Sequence, residues 1–417
     1  MYDHEIDPSG DVIISLRPSK APFAEWKFQP AIDNLAWTSE NWGSIGKKDK
    51  KKGKRAQKEE LTPFVFEPEP KPEPEASVRF LVSSRHLTLA SPMIKAMLST
   101  SSGWSEAQKD GDGLYNIGAE DWDETAFSIV LNVLHCQYRK VPAIVALEML
   151  AKIAAIVDYY QVHEAMVLVS RTWLAALKLA RELPTELNRD LCLWLTVASV
   201  FTDTHVFKSL TRVAILQSWR GMEFPVGLPI PSGVISEYMY HGRVCPPFSP
   251  WLTVHLGRIS KVRNSSVEVI TSGLKSLREG YLEGLEGCSF ECRAIHHGAL
   301  TINMRQLKID DRIIMEGTTI VELVKRLKEM QSPQWSQCVN GYSGSRNRHS
   351  CPIKGTQARP TAFDLDEMDD VNSGSCISSM GTLNGFAAQL VQSVKHSLVG
   401  LELSDFSEVY GNENMLF

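Results

Sequence analysis

Cysteine and histidine side chains in the second half of the chain are the residues whose types and spacing could bind a metal. Zinc prefers tetrahedral sets of thiolates and imidazoles that come from close pairs of residues. The candidate ligands are Cys288, Cys292, His296, His297, Cys338, His349 and Cys351. Because Cys288 and Cys292 have three residues between them, a helix would place both on one buried face, where free thiols are common. We therefore predict structural thiols and no metal or other cofactor, with a zinc site at Cys288, Cys292, His349 and Cys351 as the alternative.

The sequence contains none of three common catalytic motifs. The chain contains no glycine-rich phosphate loop, no HExxH and no G-x-S-x-G, and "GYSGS" at 341–345 differs from the last in its final residue. The acidic residues at 364–370 lie in a polar segment flanked by glycine and serine, which indicates a solvated linker. We predict no catalytic residue and no enzymatic activity, with a catalytic second half as the alternative.

Composition limits the class of protein. With 417 residues, 43% of them hydrophobic, the chain can bury a substantial core in two or three domains. A net charge of −5 argues against a surface that binds nucleic acid as a whole, so we expect no specific nucleic-acid partner. No apolar run approaches about 18 residues, so we expect no membrane span or membrane partner. The scattered cysteines and the lack of a visible secretory signal predict an intracellular protein of the nucleus or cytoplasm.

Residues 18–76 have the composition of a disordered or extended insertion. They hold a basic run, "KKDKKKGKRAQK" at 47–58, and an alternation of proline with charge, "EPEPKPEPE" at 67–75. Such a polar segment cannot bury enough apolar surface to offset its ordering entropy. The basic run fits a solvated linker best, then a nuclear-localisation signal, and least well a weak phosphate-binding segment. The residues of the candidate signal are Lys50, Lys51, Lys52, Lys54 and Arg55.

Short strands and helices are predicted on both sides of this insertion. Residues 10–17, 78–82 and 113–118 have the β-branched and aromatic content of strands. Apolar residues at helical spacing predict helices over 122–135 and, in the second half, over 190–201. The predicted core is Val12, Ile14, Phe80, Val82, Leu87, Leu89, Ile94, Leu98, Val130, Leu134, Leu147 and Leu150.

Helix starts are marked by capping residues. Ser91 precedes Pro92, which suits the first helical position because its missing N–H is not needed there. The other predicted caps are Asp121 with Glu124, Asp203, and Thr319 with Glu322. A further amphipathic helix is predicted from the apolar positions Ile270, Leu274, Leu277, Tyr281 and Leu285.

The order of the first eight elements resembles that of the BTB/POZ domain: strand, strand, two helices, strand and three helices. The residues resemble the fungal type of this domain in "DPSGDVIISL", "FLVSSRHLTLASPMIKAML", "AFSIVLNVLHCQYRKVP" and "LAKIAAIVDYYQVHEAM". The resemblance covers residues 7–17 and 77–173, and the chain departs from the family in the long insertion between the first two strands. More loosely, "GLELSDF" at 400–406 resembles the closing stretch of the helical tail in such proteins.

Together, the resemblance in the first part and the helical patterns in the second predict an α+β fold class and a division into three parts. Residues 1–173 are predicted to form a BTB/POZ-like domain, a short sheet with helical hairpins that carries the insertion 18–76. An α-helical region follows over 174–330, and a loop-rich tail with a short terminal helix over 331–417.

The resemblance also implies function by protein–protein association. In the family the first strand and first helix commonly form a dimer surface, and later helices dock cullin-class ubiquitin-ligase scaffolds. We predict a non-enzymatic protein that pairs with itself or docks as an adaptor, with Asp11, Arg85 and His86 as candidate interaction residues. We expect His86 to hydrogen-bond the backbone at the edge of the core. A nuclear, transcription-associated factor is a further alternative.

Overall fold

The computed structural model of the chain describes residues 2–20, 22–25, 77–99, 104–219, 250–287, 289–309, 318–333 and 383–406. Several predictions fall outside these ranges. They concern most of the insertion 18–76, the localisation residues Lys50, Lys51, Lys52, Lys54 and Arg55, and the candidate ligands Cys288, Cys338, His349 and Cys351.

A small mixed sheet lies at the N-terminal end of the fold. Its strands are β1 (His4–Glu5), β2 (Val12–Pro18), β3 (Val78–Val82) and β4 (Tyr115–Trp122), in the order β1-β3-β2-β4. The central β2 is antiparallel to β3 and parallel to β4, and β1 is parallel to β3. All three predicted strands are confirmed, and the third continues to Trp122.

Helices make up most of the described chain. They are α1 (Ser84–Ala90), α2 (Pro92–Met97), α3 (Glu124–Leu134), α4 (Leu147–Tyr159), α5 (His163–Ala180), α6 (Arg189–Val200), α7 (Thr204–Gln217), α8 (Pro250–Glu283), α9 (Phe290–Gln306), α10 (Ile320–Lys328) and α11 (Leu383–Val394). The protein is therefore of mixed α and β class, as predicted at that level. In the described ranges, no helix combines the length and the apolar character needed to cross a bilayer.

The predicted helix caps are confirmed with one exception. The Ser91 hydroxyl accepts the N–H of Ile94 at 2.9 Å, and Asp203 and Thr319 cap α7 and α10 in the same way. The predicted cap at Asp121 is wrong. Because β4 continues through Trp122, α3 begins later, and Asp123 accepts the N–H of Ala126 at 3.0 Å.

The buried core contains eleven of the twelve predicted residues; they are Val12, Ile14, Phe80, Val82, Leu87, Ile94, Leu98, Val130, Leu134, Leu147 and Leu150. Leu89 is the error, because its side chain is 88% exposed. Two positions after the fully buried Leu87, it lies about 200° further around α1 and faces solvent. In the second half, Ile270, Leu274, Leu277 and Tyr281 are buried along α8. Leu285 is exposed because α8 ends before it.

Two predicted boundaries differ from the elements that the structure describes. Residues 18–25 were assigned to the insertion, yet Pro18 pairs in β2, and Phe23 and Ala24 are buried against α4 and α6. The predicted end of the first domain at residue 173 lies inside α5, which is continuous across it. Buried side chains of the sheet and of α3, α4 and α6 join those of α7, α8, α10 and α11 in one apolar cluster.

Candidate functional site

Asp11 closes the N-terminal end of α1 from the turn that precedes β2. Its two carboxylate oxygens accept hydrogen bonds at 2.8 Å from the backbone N–H and the hydroxyl of Ser84. Ser83, at the cap position itself, makes no side-chain capping bond. Burial raises the pKa of Asp11, but the two bonds from Ser84, the N–H of Asp11 itself and the charge of Lys109 together hold the pKa below its ordinary value. The structure therefore gives this predicted interaction residue a local role, because its carboxylate orients α1.

His86 points inward and packs against a second imidazole. Its ring centroid lies 4.8 Å from that of His135, at the end of α3. The backbone bonds that were expected of His86 belong to His135. The N–H of Ser83 donates to its Nε2 at 3.0 Å, so Nε2 carries no proton, and Nδ1 donates to the carbonyl of Leu131 at 2.8 Å. His135 therefore joins α1 to α3 as a neutral imidazole, and burial lowers its pKa.

Arg85 and Leu89 lie on the exposed side of α1 and form what we name the α1 face. They are four residues apart, so they occupy neighbouring turns of one side of the helix. Arg85 is exposed, and Leu89 extends an aliphatic side chain into solvent. Of the three predicted interaction residues, Arg85 alone is exposed, whereas Asp11 and His86 are half-buried. Leu89 joins Arg85 at the surface because it is not in the core.

A charged cleft of about 320 Å³ lies where β2 and β4 end against α4 and α6. Arg189 contacts Glu148 at 2.8 Å and donates to the carbonyls of Phe23 and Ala24 at 3.0 Å. Lys152 contacts Asp123 at 2.9 Å and Glu148 at 3.1 Å. These charges satisfy one another, and they hold residues 22–25 against the helices.

The surroundings of Lys152 and Asp123 in this cleft favour the charged form of each side chain. Burial lowers the pKa of Lys152, but hydrogen bonds and charges from Asp123 and Glu148 outweigh it, and the pKa is raised. Burial likewise raises the pKa of Asp123, but the N–H of Ala126 and Lys152 bring it below its ordinary value. A lysine and a carboxylate whose pKa values are driven apart in this way stay ionised at neutral pH, so neither is poised to exchange a proton. The cleft is a structural junction.

The candidate metal ligands that the structure describes do not form a site. In the described part of the chain, no three or more histidine, cysteine, aspartate or glutamate side chains gather closely enough to hold a metal ion. Cys292 is buried in α9, as a structural thiol would be, and its N–H donates to the Ser289 hydroxyl that caps the helix. His296 stacks on Tyr281 at 5.5 Å. The other three residues of the zinc alternative, Cys288, His349 and Cys351, lie outside the described ranges.

Sequence reasoning missed two residues that organise this region. His135 stands in a segment that carries the family resemblance, yet its contacts with α1 depend on a strand and helix 52 positions earlier in the chain. Arg189 stands just before the predicted helix 190–201 and belongs to no pattern, and its partners lie 41 and 165 positions away. Only the folded arrangement of β2, α4 and α6 brings those partners to it.

Comparison of the chain with protein-family models, curated proteins and solved structures finds no match. The BTB/POZ resemblance therefore stays a prediction.

Proposed function

We propose that this is a non-enzymatic interaction protein whose BTB/POZ-like region, residues 1–173, binds a protein partner through the α1 face. On the α1 face the partner is a second copy of the chain. A scaffold of the cullin class, for which the protein acts as an adaptor, is the alternative partner and would dock on the later helices of the same region. The protein would need no cofactor, would bind neither a membrane nor a specific nucleic acid, and would act in the nucleus or cytoplasm.

The element order supports the BTB/POZ-like part of the proposal. From β2 the described chain runs through β3, α1, α2, β4, α3, α4 and α5, which is the order that the resemblance implies. β2 and β3 pair as antiparallel neighbours although most of the predicted insertion lies between them. The insertion therefore leaves this pairing intact.

The observation that carries the proposal is the exposure of Leu89 on a firmly held α1. A single exposed leucine is common on protein surfaces and needs no special explanation. Leu89 differs because it lies one turn from Arg85 on the helix that the resemblance implies for pairing. Asp11 and His135 anchor the start of α1, and Leu87 is fully buried beneath it. A partner would therefore meet a preorganised surface, which reduces the entropy lost on binding.

A substitution on the α1 face separates binding from folding. Leu89→Asp places a charge where the side chain is 88% exposed, so the unfolding transition is expected to stay unchanged. Partner recovery by affinity purification, or self-association by sedimentation, is expected to fall about tenfold or more, the scale of a desolvated contact residue. Arg85→Glu is expected to act in the same direction.

Two leucines serve as controls. Leu179→Asp on α5 changes an equally exposed leucine, 91% exposed, and should leave binding intact. Leu87→Asp buries an unpaired charge and should remove both the fold of this region and its partners. The proposal is wrong if Leu89→Asp and Arg85→Glu retain every partner and the full self-association of the wild type. Partners that survive Leu87→Asp would assign recognition to the helical half.

A further inference from the structure

One side of α9 is apolar and exposed, although the opposite side belongs to the core. Leu300 and Met304 are fully buried on the inner side. On the outer side, Ile295 is 37% and Ile302 57% exposed. The outer positions Glu291, Ile295, Gly298, Ile302 and Arg305 recur at intervals of four and three residues, so they form one stripe along the helix. We name this stripe the α9 face.

The charges of the α9 face are arranged symmetrically about Gly298. Glu291 precedes Gly298 by seven residues and Arg305 follows it by seven, so each charge lies about 10 Å from the glycine along the axis. Both side chains are exposed. Hydrogen bonds from the N–H of Glu291 itself and from Ser289 hold the pKa of Glu291 below its ordinary value, so it is ionised at neutral pH.

An antiparallel copy of the same helix would complement this stripe. If a two-fold axis passes through Gly298, a residue at a given distance before the glycine faces the residue at the same distance after it. Glu291 of each copy then meets Arg305 of the other. Ile302 meets Ala294, and a large side chain thus opposes a small one.

Gly298 provides the close approach that this arrangement needs. A Cβ atom built at Gly298 has no neighbour within 4 Å, so the helix surface is open at that point. The distance between two packed helix axes depends on the side chains at their crossing, and glycine permits the shortest one. A glycine in the middle of a helix lowers helix stability relative to alanine, and here no contact within the described chain requires it.

We infer that the α9 face is a self-association surface on which a second copy of this chain docks, antiparallel and two-fold symmetric about Gly298. The partner it fits is its own α9, held by two Glu291–Arg305 ion pairs around an apolar centre. This surface lies outside residues 1–173, so it is independent of the α1 face. From Glu291 to Arg305 the helix is about 21 Å long, a small contact area that predicts a transient dimer.

Sedimentation velocity of the full-length protein, from about 1 to about 100 μM, tests this interface. The wild type is expected to dimerise with rising concentration. Arg305→Glu and Glu291→Arg each create two like-charge contacts across the two-fold axis and should weaken the dimer about tenfold or more. The double variant Glu291→Arg/Arg305→Glu restores both pairs and should return to within about threefold of the wild type. Glu279→Arg, an exposed charge reversal on α8, is the matched control and should change nothing.

Gly298→Leu gives a second test in which folding and association move in opposite directions. Leucine is a better helix former than glycine and meets open space, so the thermal unfolding midpoint should not fall. The same side chain separates the two helices and should abolish the dimer.

The outcomes distinguish this inference from the proposed function. A protein that stays monomeric across the whole range, a failure of the double variant to recover, or a dimer that survives Gly298→Leu would overturn the α9 interface. A dimer lost through Leu89→Asp but kept in Gly298→Leu would overturn it while leaving the α1 proposal standing.

Discussion

At the scale of single residues, His135 couples two elements through one protonation state. Its Nε2 accepts from Ser83 at the start of α1 and its Nδ1 donates to Leu131 in α3, which only the neutral ring can do. Burial lowers its pKa most, the neighbouring charge of His86 lowers it further, and the Leu131 carbonyl and Asp7 oppose them. Protonation would turn Nε2 into a donor facing the donor of Ser83.

The stability of the protein is therefore expected to fall on mild acidification. The unfolded chain binds a proton at His135 near the ordinary pKa of 6.5, and the folded chain binds it only at lower pH. The contribution of His135 is thus complete above about pH 6.5 and is lost as pH falls below it. Urea unfolding at pH 7 and at about pH 5.5 should give a lower free energy of unfolding at the acidic value.

The variant His135→Gln removes this titration and should flatten the dependence of stability on pH between those values. His205→Gln, which changes an exposed histidine on α7, should retain the slope of the wild type. An unchanged slope in His135→Gln would show that groups other than His135 carry the pH dependence.

At the scale of elements, the last described segment closes the fold against α7. Gly400 has φ = +111°, a backbone conformation that residues with a Cβ rarely adopt. A Cβ at Gly400 would also overlap the carbonyl oxygen of Lys208. The N–H of Leu401 donates to the Thr211 hydroxyl at 2.9 Å, and Lys208 forms an ion pair with Glu402. The predicted loop-rich tail therefore contains an ordered segment that is packed onto the helical region.

Gly400→Ala is expected to lower the free energy of unfolding by about 1–3 kcal/mol, the usual cost of a strained backbone conformation. Chemical denaturation measures the change directly. Gly111→Ala is the control, because a Cβ at Gly111 meets open space and should change stability by no more than about 0.5 kcal/mol. If Gly400→Ala is as stable as Gly111→Ala, the segment after α11 contributes little to the fold.

At the scale of the whole molecule, the sheet and the helices form one packed unit. The apolar cluster continues from β2, α3 and α4 through α6 to α7 and α8. Arg189 at the start of α6 binds Glu148 in α4 and the backbone of Phe23 and Ala24 after β2. The region that resembles a BTB/POZ domain is thus tied to the helices that follow it, at the residues where the predicted insertion was expected to begin.

Two deletions test where the packed part ends. Replacing 27–75 by about 12 Gly/Ser residues, which reach up to about 40 Å, should leave the cooperative unfolding transition within about 1 kcal/mol of the wild type. Replacing 20–75 also removes the buried Phe23 and the carbonyls that Arg189 binds, and should cost about 3 kcal/mol or more. Thermal and urea unfolding of both variants measure the difference. If the two variants are equally stable, residues 20–25 belong to the insertion and not to the packed part of the protein.

The sequence by itself determined the features that depend on spacing along the chain. The strands at β2 and β3, the caps at Ser91, Asp203 and Thr319, and the buried stripe of α8 were all predicted. Each depends on residues within a few positions of one another, where alternation, helical periodicity or a side-chain bond to a nearby N–H is already present in the order of residues. The α-helical character of the second half was predicted for the same reason.

The tertiary structure decided every feature in which distant segments meet. It turned Leu87 into the core and Leu89 outward, because α2 and α3 pack against one side of α1. It made Asp11 the cap of a helix 73 positions later, and it gave His135 the backbone bonds expected of His86. It also required a glycine at position 400, because α7 passes directly beneath that point. These outcomes depend on which elements pack together, and a pattern within one segment carries no information about its neighbours in space.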